Sequence, residues 1–191
     1  MFGRNRCKAV IISALSAFVF ASCGGKGILV KAPELNVPFE ADVKIQAGEL
    51  EIGGNMKRYG TGIWEMSADS PETLAGLELS YSDEGVAATL DDLRLDIPAE
   101  KIRDGAVFAQ IFKAMDSAAA AGELVCTETE DGKVFSGEFS GGAYSIVFEP
   151  ETLVPVSIEI PSAGIFAELE NFRLTAEEST ETETKTETKT E

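Results

Sequence analysis

From Phe39 to Leu174 apolar and polar residues alternate almost one by one, and a period of two restricts such a chain to strands buried on one face. Phe39, Ala41, Val43, Ile45 and Ala47 share a face, and Leu50 and Ile52 continue it across an expected bulge at Gly48. Gly53-Gly54-Asn55 reads as a turn. Trp64, Met66 and Ala68 come next, then Leu77, Leu79 and Tyr81, then residues 86–90, then Leu93, Leu95 and Ile97. Residues 124–129, 134–139, 144–148, 154–160 and 165–174 complete the series, separated by turn signals at Asp131-Gly132, Gly141-Gly142 and 149–152. About ten antiparallel strands with short connections predict a curved sheet or a half-open barrel.

One segment departs from this period. Phe108, Ile111, Phe112, Met115 and Ala119 recur at three and four residues, with Asp104 expected as N-cap and Gly122 near the helix end. A single amphipathic helix among strands must cover apolar surface, and the concave face of the sheet is what is available. The expected fold is therefore mainly β (α+β), with one main helix plugging the concave face.

The two ends carry different signals. Arg4, Arg6 and Lys8 precede the apolar run 9–20, too short for a membrane span and suited to a secretory signal over residues 1–22. Phe20-Ala21-Ser22-Cys23 resembles a bacterial lipobox, with Phe20 where leucine is usual, and the resemblance implies a diacylglycerol thioether on Cys23. Gly24, Gly25, Gly27, Pro33 and Pro38 make residues 23–38 an expected flexible tether, and 39–175 the folded domain. Residues 176–191, almost all Thr, Glu and Lys, are expected to be disordered.

Composition then excludes several chemistries. Loss of Arg4, Arg6 and Lys8 leaves 13 of the 16 basic residues against 33 acidic ones, taking the formal charge from −17 to −20. Such a balance disfavours nucleic acid and electrostatic attraction to anionic lipid. Membrane contact is expected through the acyl anchor instead. The sequence has no histidine and, once Cys7 is removed and Cys23 acylated, a single thiol at Cys126. Neither a His-based triad nor a disulfide can be built, and no catalytic residue, metal site or cofactor is expected. Asp91-Asp92, and Asp69 with Glu72, lack the spacing of a calcium loop and read as solvated surface.

Several short motifs, in order, resemble the LolA/LolB/LppX-like lipoprotein-carrier superfamily. They are 62–66 (Gly-Ile-Trp-Glu-Met), 70–77 beginning Ser70-Pro71, 93–98 leading into the helix, and the acidic turn and proline at 149–156. The resemblance implies a half-open barrel whose apolar cup holds acyl chains, in a protein anchored outside the cytoplasm at the cell membrane, or at an outer membrane where the host has one. Related lipoproteins of spore-forming bacteria include a germination lipoprotein that partners a cell-wall amidase, so the same fold also implies a protein-binding scaffold.

Trp64, Leu79, Phe108, Ile111, Phe112, Met115, Ile146 and Ile158 are the candidates to line an apolar site, with plain core as the competing reading. Arg94 is expected to point to solvent and Cys126 to be a buried, unactivated thiol. The expected function is non-enzymatic: an anchored binding protein holding a lipid or lipoprotein acyl chain between sheet and helix. The alternative is an anchored scaffold with a solid core that engages an envelope protein partner.

Overall fold

The computed structural model describes residues 27–102, 106–130 and 132–175. The expected signal, Cys23, the C-terminal tail 176–191 and Asp104 lie outside the described residues. Among the described residues, twelve strands form one open antiparallel sheet. They are β1 (Ile28–Lys31), β2 (Phe39–Ala47), β3 (Leu50–Gly60), β4 (Ile63–Ser70), β5 (Leu77–Ser82), β6 (Gly85–Leu90), β7 (Leu93–Pro98), β8 (Glu123–Thr129), β9 (Gly132–Phe139), β10 (Gly142–Phe148), β11 (Pro155–Ile160) and β12 (Ile165–Leu174). Their spatial order is β1-β8-β9-β10-β11-β12-β2-β3-β4-β5-β6-β7, so β1 and β7 are the open edges. Among the described residues there is a single α-helix, α1 (Val107–Ala120).

The alternation translates directly into burial. In β2, Phe39, Ala41, Val43 and Ile45 are buried while Lys44 and Gln46 face water. Strand β4 does the same with Trp64, Met66 and Ala68. The inner faces of β8 to β12 and β2 to β4 form one core with Ile111, Phe112, Ala114, Met115 and Ala118 of α1. On the outer face, Glu40 lies between Arg173 at 2.7 Å and Lys57 at 3.7 Å, and Asp42 accepts from Asn171 at 2.7 Å and Asn55 at 3.1 Å. These partners hold the carboxyls of Glu40 and Asp42 below the usual carboxylate range.

Two additions and one reassignment separate this sheet from the ten strands expected. Gly48 is not a bulge within one strand: with φ +62° it lies in the tight connection that splits residues 39–60 into β2 and β3. Gly53-Gly54-Asn55 is not a turn but the interior of β3, at a register shift against β4. The reason is close approach: a Cβ on Gly54 would sit 1.9 Å from the carbonyl oxygen of Ser67. The other new strand, β1, comes from the segment expected as tether. Ile28–Lys31 pairs with 123–126 of β8, Leu35 is buried in the core, and only residues before 28 are left to span from Cys23.

Helix α1 also starts differently. Ala106 occupies the N-cap position and provides no side-chain hydrogen bond. Its attachment comes from tertiary contacts, chiefly with β9 and β11.

Candidate functional site

Six of the eight residues expected to line an apolar site are fully packed. Trp64, Ile146 and Ile158 have no exposed surface, and Ile111, Phe112 and Met115 retain at most 2 %. The indole of Trp64 stacks on Phe112 with ring centroids 4.8 Å apart and planes inclined by 12°. Ile146 and Ile158 are cross-strand neighbours between β10 and β11. The helix therefore fills the concavity it covers. Leu79 and Phe108 are only half-buried at the margin of this core.

Charged residues absent from the candidate list hold the helix in place. Arg58 is 1 % exposed, on the inner face of β3 two residues after buried Met56. Its Nε donates to Asp116 Oδ1 at 3.0 Å, and its guanidinium also donates to the Val37 carbonyl, Asn36 and Thr61. The other carboxylate oxygen, Asp116 Oδ2, accepts from the Gly62 amide and from Trp64 Nε1, both at 2.9 Å. The guanidinium carbon lies 5.7 Å from the Trp64 ring centre, a cation–π contact. One carboxylate on α1 thus accepts from three donors on the β3–β4 hairpin. The signal for this hub was present: Arg58 occupies an inward slot of the alternation, and Asp116 follows Phe112 by one helical turn.

Beyond β4 the coverage thins, with β5 half-buried and β7 open. The same inner face continues through Leu77, Leu79 and Tyr81 of β5, then Val86, Ala88 and Leu90 of β6, then Leu93, Leu95 and Ile97 of β7. Tyr81 still touches Phe112, with centroids 5.7 Å apart. Burial, with the Asp116 carboxylate adding to it, pushes the Tyr81 phenol up. The inner residues of β6 and β7 do not belong to the core, and Leu93 and Leu95 are 75 % and 60 % exposed. The apolar face thus runs from half-buried residues of β6 to Leu93 and Leu95 of β7 in water, the kind of patch that marks contact sites when it is large. On the outer side of β7, Arg94 is exposed and pairs with Asp96 at 2.8 Å.

A second apolar groove, of about 540 Å³, lies at the opposite edge between β1, β8 and β9. Ile28, Val30, Cys126, Phe135 and Leu153 line it together with Lys31 and Lys133. Cys126 is buried, and desolvation pushes its thiol up, the reverse of what an attacking thiolate needs. Among the described residues there is no cluster of three metal-ligating side chains, and no helix is long and apolar enough to cross a membrane.

Solved structures align with this chain at low identity. A conserved protein from Thermus thermophilus aligns at 14 % identity and TM-score 0.47, over 74 % of this chain and 81 % of its own. A LolA superfamily protein from Nitrosomonas europaea aligns at 8 % identity and TM-score 0.39, over 77 % and 94 %. A domain from Vibrio parahaemolyticus, named for outer membrane lipoprotein sorting, aligns at 9 % identity and TM-score 0.34, over 74 % and 86 %. No family model and no curated protein matches the chain.

Proposed function

We propose that the protein is a non-enzymatic, lipid-anchored binding protein of the cell envelope, tethered through Cys23, that holds a lipid or lipoprotein acyl chain. The observation that carries this reading is the inner face of β6 and β7, which lies outside the core and ends in Leu93 and Leu95 standing mostly in water. The ligand lies beside α1, against the half-buried Leu79 and inner residues of β6 and the exposed Leu93 and Leu95 of β7, rather than between helix and sheet. Hydrocarbon laid there removes apolar surface from water at about 25 cal/mol per Å². Aliphatic side chains without a fixed polar partner select for chain character rather than for one head group.

The test is native mass spectrometry with lipid extraction on protein purified from its own host, beside the double variant Leu93→Ser/Leu95→Ser. Co-purified acyl lipid in the parent and its loss in the variant are expected. An empty parent that also fails to bind a fluorescent fatty acid sinks the reading.

The filled core favours a second reading. Because Trp64 and Phe112 of α1 stack on each other and are buried, the same apolar face and the free edge of β7 suit an envelope protein partner. In-host crosslinking from a photoreactive residue at position 95 decides between them: one stoichiometric protein adduct supports the scaffold, and lipid adducts support the carrier.

A further inference from the structure

Strand β7 is one of the two open edges of the sheet, with no strand on its outer side among the described residues. The amide of Ala99 donates to the Glu84 carbonyl at 3.0 Å, in step with the β6–β7 ladder. Backbone groups alternate along an antiparallel pair, so those of Leu93, Leu95 and Ile97 also turn to β6, and the N–H and C=O of Arg94 and Asp96 turn outward. Such an edge is a template for another strand, and proteins usually blunt it with a bulge, an inward charge or a proline. Along Leu93–Ile97 the register has no bulge, the inner residues are all apolar, and Pro98 comes only at the end.

The sequence of this edge is complementary to itself. In an antiparallel pair of two β7 strands centred on Leu95, Leu95 faces its own copy, Leu93 faces Ile97 of the second copy, and Arg94 faces Asp96 of the second copy. The outward backbone groups of Arg94 and Asp96 then exchange both hydrogen bonds of each such pair. On the outer face the arginines and aspartates alternate around a square, and the exposed Arg94–Asp96 pair within each chain, at 2.8 Å, is one side of it. On the inner face apolar meets only apolar. A slip of two residues sets Arg94 against Arg94 in one direction and Asp96 against Asp96 in the other, and a slip of one puts the apolar face of one copy beside the charged face of the other. The other open edge offers no such match, since Ile28–Lys31 carries Lys31 and no acidic residue.

We propose that two copies of this chain join edge to edge through β7, Arg94 of each facing Asp96 of the other, in a two-fold dimer with one continuous sheet. Such a contact closes on itself, whereas pairing β7 with β1 of the next copy would run on without end. The paired edge uses backbone groups and outer side chains and leaves the inner face open. The dimer is therefore independent of the acyl-chain reading, and where that reading holds, Leu93, Leu95 and Ile97 of both copies form one apolar floor.

The full chain, purified from a bacterial host in a non-ionic detergent, is weighed by native mass spectrometry and sedimentation velocity over a dilution series. The parent is expected as a dimer that dissociates on dilution, since one strand edge is a small interface. Arg94→Asp alone and Asp96→Arg alone each set like charges across the pair, and each is expected to lose the dimer. Mixed in equal amounts, the two variants oppose unlike charges at both positions, and a dimer holding one copy of each is expected. The double variant Arg94→Asp/Asp96→Arg is expected to dimerise with itself. Both side chains are exposed, so the circular dichroism of every variant is expected to match the parent. A parent that is monomeric throughout, single variants that dimerise as the parent does, or a mixture that stays monomeric overturns the dimer. Crosslinking from a photoreactive residue at position 95 reads it without the charge variants: an adduct of the chain with itself, at twice its mass, supports the dimer, and adducts with lipid or another protein alone overturn it.

Discussion

The sheet has two halves that look alike in sequence and behave differently in space. From β8 around to β4 the inner residues vanish beneath α1, whereas from β5 to β7 the same alternation ends in half-buried and then exposed leucines. Twelve strands at about 4.8 Å spacing unroll to roughly 50 Å, and a helix of 14 residues is only about 21 Å long and about 10 Å wide. Curvature brings most of the sheet onto the helix but cannot bring all of it. What distinguishes the halves is therefore coverage, and coverage is not a local property of either.

That contrast can be broken most sharply at Asp116, which belongs to the covered half. Asp116→Ala leaves the Arg58 guanidinium buried without its carboxylate, and a loss of about 3–5 kcal/mol in unfolding free energy is expected by urea titration. A loss below about 1 kcal/mol would mean that the hub does not hold the helix. Next in size is Gly54→Ala, whose Cβ meets the Ser67 carbonyl and forces β3 from β4. About 1–3 kcal/mol is expected to be lost, read from the same titration.

Alkali should act on the covered half with a smaller effect. Burial raises the phenol of Tyr144 and the thiol of Cys126 in the folded chain. A raised folded value means that their contribution is complete below the unfolded values of about 8.5 for the thiol and about 10 for the phenol, and is lost as pH rises through the folded ones. Tm is expected to decline above roughly pH 9, and Tyr144→Phe with Cys126→Ala to flatten that decline. A decline identical in the double variant would place its cause elsewhere. Smallest of all is the change in the open half: Leu95→Ser should alter stability by no more than about 0.5 kcal/mol while weakening the binding of a fluorescent fatty acid. A large loss of stability there would show that β7 is core after all.

How much of this was legible differs from residue to residue. The period-two pattern identified nearly every strand, and the three-and-four stripe of Phe108, Ile111, Phe112 and Met115 identified the helix. Gly53-Gly54 misled because glycine signals both turns and close backbone contact, and only the position of Ser67 tells them apart. Ile28–Lys31 is too short to show a period, and its partner lies about a hundred residues away in β8. Arg58 and Asp116 were visible as charges in apolar slots, but their mutual pairing was not.

The sequence by itself determined a mainly β chain with one amphipathic helix, since alternation and helical spacing are imposed by backbone geometry over a few residues. Only the tertiary structure decided which apolar faces were covered, because burial depends on how far one short helix reaches across a wide curved sheet. Trp64 and Leu95 carry the same kind of signal in the chain; α1 packs over one and stops short of the other.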